Sequence, residues 1–269
     1  MIAILNGRRL YDGEGGLDPR DRGFTLGDGV FETIAVQEGH ARHLDRHLNR
    51  LYTSLATLRI ALPPDTPDPA GSVHNAIAAN RLDSGVVRLS ISRGPGGRGI
   101  ATEGAGPPTV LATASAALPP ETPVPAIVSQ RVRRNEHSPT SGLKTLSYLD
   151  NVLARQEAVE RGAEEAVLLN TQNRVAEASI ANLIAVFGNS AVTPPLREGC
   201  LPGVARSLFM DADVLRTAPL QTEEVYRADA LILINALGVR SLCRLDDTRI
   251  GYGREPALAA QLRAQLRSG

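Results

Sequence analysis

A chain of 269 residues, 42% hydrophobic and 22% charged, is long enough to bury a sizeable core, as one large domain or two modest ones. Lysine plus arginine equals aspartate plus glutamate at 29 each and aromatics make up 3%, which argues against a nucleic-acid surface and for small-molecule chemistry. Two cysteines, Cys200 and Cys243, and five histidines without metal-ligand spacing argue against a disulfide framework, structural zinc or an iron–sulfur cluster, and the lack of a ~20-residue apolar run or basic leader points to a cytoplasmic protein without a membrane anchor.

In chain order, the first half reads as alternating strands and helices. A strand over 2–5 runs into Asn6-Gly7, a dipeptide suited to a tight turn, and a second strand covers 30–36. Between 42 and 58, Leu44, Leu48, Leu51, Leu55 and Leu58 recur at three and four, one face of an amphipathic helix that leaves Asp45, Arg46, Asn49 and Arg50 off the stripe. A proline-rich turn precedes a helix near 73–80, the alternation of 87–91 predicts a half-buried strand, and another strand lies near 109–114. Four prolines between Ala116 and Pro125 place a linker at 118–125, dividing a smaller N-terminal α/β domain (1–117) from a larger, strand-rich C-terminal domain (126–269). Beyond it the pattern predicts a strand near 126–132, a helix over about 146–161 and two hairpins turning at 170–173 and 188–190. A helix from about Gly203, a buried strand at 231–234 and an amphipathic helix over 256–266 complete a mixed α+β chain.

Lys144 is the only lysine among 29 basic residues. A guanidinium stays protonated in proteins and cannot act as a neutral amine nucleophile. The lone lysine therefore either marks a position that requires a deprotonatable amine or is what remains of a drift toward arginine. A lysine nucleophile implies an imine, and a widespread use of one is pyridoxal phosphate, which needs a phosphate cradle and a partner for its pyridine nitrogen. The turn Gly199-Cys200-Leu201-Pro202-Gly203-Val204-Ala205-Arg206 is either an ordinary helix start or an anion site at free N–H groups. Arg50 is either a solvated helix arginine or a bidentate phosphate ligand. Glu177 is either an exposed turn glutamate or the carboxylate that keeps a pyridine nitrogen protonated.

The order of these features resembles the class IV aminotransferase family of pyridoxal phosphate enzymes (fold type IV), which includes branched-chain and D-amino-acid aminotransferases and aminodeoxychorismate lyase. The resemblance is carried by Leu26-Gly27-Asp28-Gly29-Val30-Phe31-Glu32-Thr33, His47-Leu48-Asn49-Arg50-Leu51, the Lys144 segment, 177–182, Leu201-Pro202-Gly203-Val204-Ala205-Arg206 and Ile234-Asn235-Ala236. It implies a two-domain fold in which Lys144 is the imine lysine, Arg50 a phosphate ligand and Glu177 the partner of the ring nitrogen. It further implies that Leu201 packs on the ring, that backbone N–H groups of Val204, Ala205, Asn235 and Ala236 meet the phosphate, and that the chain forms a homodimer with the site near its interface.

Within the family, Arg93-Gly94-Pro95-Gly96-Gly97-Arg98-Gly99 and Ile234-Asn235-Ala236-Leu237 resemble the lyase patterns. In D-amino-acid aminotransferases the position of Arg98 binds substrate carboxylate together with a tyrosine and a histidine; those two positions here hold Phe31 and Ile100. Arg98, Arg93 and Phe31 are the expected substrate residues, with no metal. Glu32, where some lyases place threonine, and Thr145-Leu146-Ser147-Tyr148-Leu149 look more like an aminotransferase. The resemblance implies a lyase that converts 4-amino-4-deoxychorismate to 4-aminobenzoate and pyruvate for folate synthesis, with Lys144 as general base and acid. The alternative is an aminotransferase acting on D- or branched-chain amino acids.

Overall fold

A computed structural model describes residues 1–118, 120–251 and 256–268. They fall into two compact units, Met1–Pro119 with Leu143–Ser147, and Pro120–Gly142 with Tyr148–Gly269. The change of unit falls within the predicted linker, of which Pro119 lies outside the described residues. Two features depart from the expected division: Val124 and Pro125 already belong to a strand, and the five residues around Lys144 belong to the N-terminal unit.

The N-terminal unit is built on a six-stranded sheet. Strands β1 (Ala3–Leu5) and β2 (Arg8–Leu10) form a hairpin about the expected turn, Asn6 and Gly7 standing at φ 47° and 77°; its second strand was not expected from the sequence. Helix α1 (Arg22–Leu26), too short to show an apolar period, precedes β3 (Gly29–Gln37) and β4 (His40–Ala41). Then come α2 (Leu44–Thr57), α3 (Pro69–Asn80), β5 (Gly85–Ser92) and β6 (Thr109–Ser115). The sheet order is β2-β1-β6-β5-β3-β4 with every pair antiparallel, so the alternation read in the sequence does not produce a parallel sheet. The leucine stripe of α2 joins the core of Ile34, Val87, Leu89 and Ile91, and Leu51 and Leu55 are buried in it, worth roughly 1.5–3 kcal/mol each. Helix α3 starts four residues earlier than its apolar spacing predicts, because Asp68 accepts hydrogen bonds from the Ala70 and Gly71 N–H groups and Pro69 is preset for the first turn.

In the C-terminal unit, β7 (Val124–Arg134), α4 (Leu149–Glu160) and β8 (Glu165–Asn170) form a parallel crossover. β9 (Val175–Ala178) completes the first expected hairpin; β10 (Asn182–Phe187) and β11 (Ser190–Thr193) form the second. After these come α5 (Val204–Asp211), β12 (Arg216–Thr217), α6 (Thr222–Val225) and β13 (Ala230–Asn235). Strands β14 (Gly238–Leu245) and β15 (Thr248–Arg249) and helix α7 (Ala257–Arg267) close the chain. The sheet runs β12-β11-β10-β13-β14-β7-β8-β9, with β15 on β14. Arg240, Ser241, Cys243 and Arg244 interrupt the apolar run of β14, which is why the sequence pattern did not reveal it. No described helix is long and apolar enough to cross a membrane.

Candidate active site

Lys144 sits in an extended segment laid along the first residues of β3. Thr145 bridges Val30, the Phe31 N–H donates to the Lys144 carbonyl at 2.9 Å, and the Leu146 N–H donates to Gly29 at 2.9 Å. These bonds explain why α4 begins at Leu149 rather than at 146, since Leu146 is already committed to β3. The Lys144 ammonium nitrogen lies 4.3 Å from the centroid of the Phe31 ring, and the Arg88 guanidinium carbon lies 3.6 Å from the same centroid. Each such contact contributes about 0.5–2 kcal/mol and holds the cation over the ring. Phe31 is thus an apolar wall, only 4% exposed, beside the lysine. Arg88 was not singled out in the sequence; it lies on the outward side of the β5 alternation, and only the pairing of β5 with β3 brings it to Phe31.

Arg50 and His47, three residues apart on α2, both reach Glu32 of β3. Arg50 donates from Nε to Glu32 Oε1 at 2.8 Å and from Nη2 to Oε2 at 2.5 Å, and His47 Nδ1 lies 2.7 Å from Oε2. Burial opposes the charge on Glu32, but the hydrogen bonds of His47 and Arg50 hold its carboxyl below the ordinary 4.5. Burial likewise holds His47 below its ordinary 6.5 despite the neighbouring carboxylate. As pH falls below about 6.5 the unfolded chain takes up the imidazole proton more readily than the folded one, and below about 4.5 the same holds for Glu32. The stability these two groups contribute is therefore present at neutral pH and lost toward acid. Glu32→Gln is expected to cost roughly 3 kcal/mol at neutral pH by removing the buried carboxylate that His47 and Arg50 share. Thermal melts of the cofactor-free protein check this: the gap between variant and parent closes as pH falls through the folded-state value of Glu32.

The two arginines of the glycine-rich loop have different fates. Arg93, expected at the substrate, is committed to structure: it donates to Asp28 from Nε at 2.8 Å and Nη2 at 3.1 Å, and to the Arg59 and Leu58 carbonyls at 3.0 and 2.9 Å. Four hydrogen bonds to the end of α2 and to Asp28 make it a brace of the loop. Arg98 is exposed, no described residue pairs with it, and it lines a cleft of about 670 Å³ with Arg20, Thr25, Leu26 and Pro95.

In the C-terminal unit Glu177, on β9, is 5% exposed. Its Oε2 accepts the Leu201 N–H at 2.9 Å and its Oε1 lies 2.8 Å from Arg134 Nε. Asn182 Nδ2 donates to the Leu201 carbonyl at 2.9 Å, so both peptide faces of Leu201 are held by side chains of adjoining strands. A Cβ on Gly203 would stand 2.0 Å from Asn182 Oδ1, so only glycine fits at that helix start. No side chain caps α5, whose first residues are Val204 and Ala205. Asn235 ends β13 and Ala236 begins the turn to β14; the Asn235 amide donates to the Ile180 carbonyl at 3.2 Å, tying this turn to the connection between β9 and β10. Within its own unit each of these groups is of a kind that pyridoxal phosphate uses: in the first, the side-chain amine of Lys144 and the guanidinium of Arg50; in the second, an uncapped helix start and the buried carboxylate of Glu177.

A family model described as amino-transferase class IV matches residues 29–245. Aminodeoxychorismate lyase of Bacillus subtilis is 30% identical over 270 residues, covering 96% of this chain and 92% of that protein. D-alanine aminotransferase of Bacillus licheniformis is 29% identical over 274 residues, covering 100% and 96%. The crystal structure of 4-amino-4-deoxychorismate lyase from Pseudomonas aeruginosa superposes with a TM-score of 0.82 at 32% identity, covering 98% of each chain.

Proposed function

Because the chain belongs to the class IV aminotransferase family, and is therefore a pyridoxal phosphate-dependent enzyme, we propose that it is an aminodeoxychorismate lyase, releasing 4-aminobenzoate and pyruvate from 4-amino-4-deoxychorismate. The observation that carries this reading is Arg98: it lines an open cleft with no partner among the described residues, and Ile100 follows in place of a polar co-ligand. The substrate brings two carboxylates and one amine, and Arg88, stacked on Phe31 beside Lys144, is a second cation placed for a carboxylate.

In this reading Lys144, Arg50, Glu177, Leu201 and the backbone N–H groups of Val204, Ala205, Asn235 and Ala236 hold the cofactor. Pyridoxal phosphate, when bound, accepts the electron pair freed as a bond at the amine-bearing carbon breaks. Lys144 Nζ takes the proton from that ring carbon and returns one to the leaving enolpyruvyl group. Loss of the proton and of pyruvate together leave an aromatic ring, so no second substrate is consumed. Phe31 keeps water from the lysine, and Glu177 supplies negative charge to the ring nitrogen. The reading includes a cytoplasmic homodimer. Phe24 and Ile100, 75% and 86% exposed, supply apolar area for its contact, and sedimentation of the purified protein tests it.

A second reading, an aminotransferase for D- or branched-chain amino acids, is favoured by the likeness to D-alanine aminotransferase over the whole chain. The two separate in one assay of the cofactor-loaded enzyme. Pyruvate release from aminodeoxychorismate without any added 2-oxo acid is expected; amino transfer from D-alanine or L-leucine to 2-oxoglutarate, with no such release, favours the second reading. Arg98→Ala is expected to lower kcat/KM about 30-fold or more, since truncating one member of a desolvated charge pair costs about 2 to 5 kcal/mol. Unchanged kcat/KM removes Arg98 from the substrate site.

A further inference from the structure

Arg22, the first residue of α1, is an unusual arginine: it is 3% exposed, and its whole guanidinium is spent on one loop and one carboxylate. Nε donates to Asp28 Oδ2 at 2.8 Å; Nη1 donates to the Gly99 and Ala101 carbonyls at 3.2 and 2.9 Å, and Nη2 to the Ile100 carbonyl at 3.2 Å. Three consecutive carbonyls, those just after Arg98, therefore converge on one planar cation. Asp28 neutralises it and at the same time receives Arg93 from the start of the same loop. The backbone repeats the connection, with the Arg22 N–H donating to the Gly94 carbonyl at 2.9 Å and the Gly96 N–H to the Arg20 carbonyl at 3.2 Å. A Cβ on Gly96 would stand 2.8 Å from Arg22 Cδ, so the loop lies directly on the arginine stem.

We propose that Arg22 is a positioning residue: it sets the conformation of the 93–106 loop and, through it, the placement of Arg98. This rests on the carboxylate role given to Arg98 above. A buried cation whose Nη donors are directed at main-chain carbonyls of a glycine-rich loop, while Nε is held by Asp28, fixes what the loop's own backbone leaves free, and a fork of five donors does so where a lysine ammonium, with three, cannot reach all four acceptors. Asp28 and Arg93 then act as the other end of the same clamp.

The test uses cofactor-loaded enzyme and two variants, Arg22→Lys, and Gly96→Ala, which preserves every charge and crowds only the arginine stem. In both, tryptic cleavage of the folded enzyme at the Arg98–Gly99 bond, located by mass spectrometry, is expected to speed up about tenfold, because loss of these hydrogen bonds raises the population of open loop. KM for aminodeoxychorismate is expected to rise about tenfold with kcat nearly unchanged, and Arg22→Lys is expected to add little in an Arg98→Ala background, because a residue acting through another is silent once that residue is gone. Parent-like cleavage at this bond in both variants overturns the proposal. So does a KM penalty of Arg22→Lys that persists undiminished in the Arg98→Ala background, which marks general destabilisation. If Arg98→Ala leaves KM at the parent value while Arg22→Lys still opens the loop, the loop-setting role stands and the carboxylate role of Arg98 falls.

Discussion

Lys144→Arg is expected to abolish turnover, a loss of at least roughly a thousandfold, and to end borohydride-dependent fixation of pyridoxal phosphate on the protein. The substitution is conservative in every respect but one. Arginine preserves the positive charge over Phe31, and the backbone bonds of Lys144 and Thr145 to β3 do not depend on the side chain. What it removes is a nitrogen that can shed its proton, and in the proposed reading both the covalent hold on the cofactor and the proton transfers need that nitrogen neutral. The chain contains no other lysine, so mass spectrometry of the reduced, digested protein gives an unambiguous answer: the adduct maps to Lys144 in the parent and no side-chain adduct forms in the variant. A reducible side-chain adduct in Lys144→Arg overturns the assignment.

The same lysine shows what the sequence carried and what it withheld. Its uniqueness could be counted, but its placement on β3 could not be inferred: a five-residue extended segment has no period to read, and its pairing is set by residues more than a hundred positions away. Helix α2 was legible because five leucines at helical spacing fix both its existence and its buried face. The position of Arg50 off that stripe followed from the same spacing, whereas its bond to Glu32 required knowing that α2 packs on β3. Glu32 itself appeared in the sequence as one residue of the 26–33 motif and as a departure from a lyase pattern, and the structure gives it a local reason, a buried carboxylate shared by a histidine and an arginine. Composition could not distinguish Arg93 from Arg98 five residues on, since both punctuate glycines; only Asp28 and the carbonyls at the end of α2 separate a brace from an available cation.

Glu177→Gln is expected to leave the fold and cofactor attachment largely intact while lowering kcat by about a hundredfold or more, the usual scale for removing a preorganised charge from a site where charge develops. The near-isosteric amide can still accept the Leu201 N–H on one side through its oxygen. Its NH2 then faces Arg134, whose Nε lies 2.8 Å from Glu177 Oε1 in the parent, so a favourable ion pair becomes an opposition of two donors. An amide also cannot hold a proton on a pyridine nitrogen as a carboxylate does, and the ring's capacity to take up electrons falls with that proton. These two effects are separable because Arg134→Gln removes the neighbour while keeping the carboxylate. If the carboxylate serves the ring nitrogen, Glu177→Gln slows turnover far more than Arg134→Gln; if its purpose is to neutralise Arg134 and pin Leu201, the two variants lose stability together and kcat of the folded fraction stays near that of the parent. Single-turnover kinetics on cofactor-loaded protein, normalised to cofactor content, distinguishes these outcomes, and an unchanged rate in Glu177→Gln removes Glu177 from the chemistry.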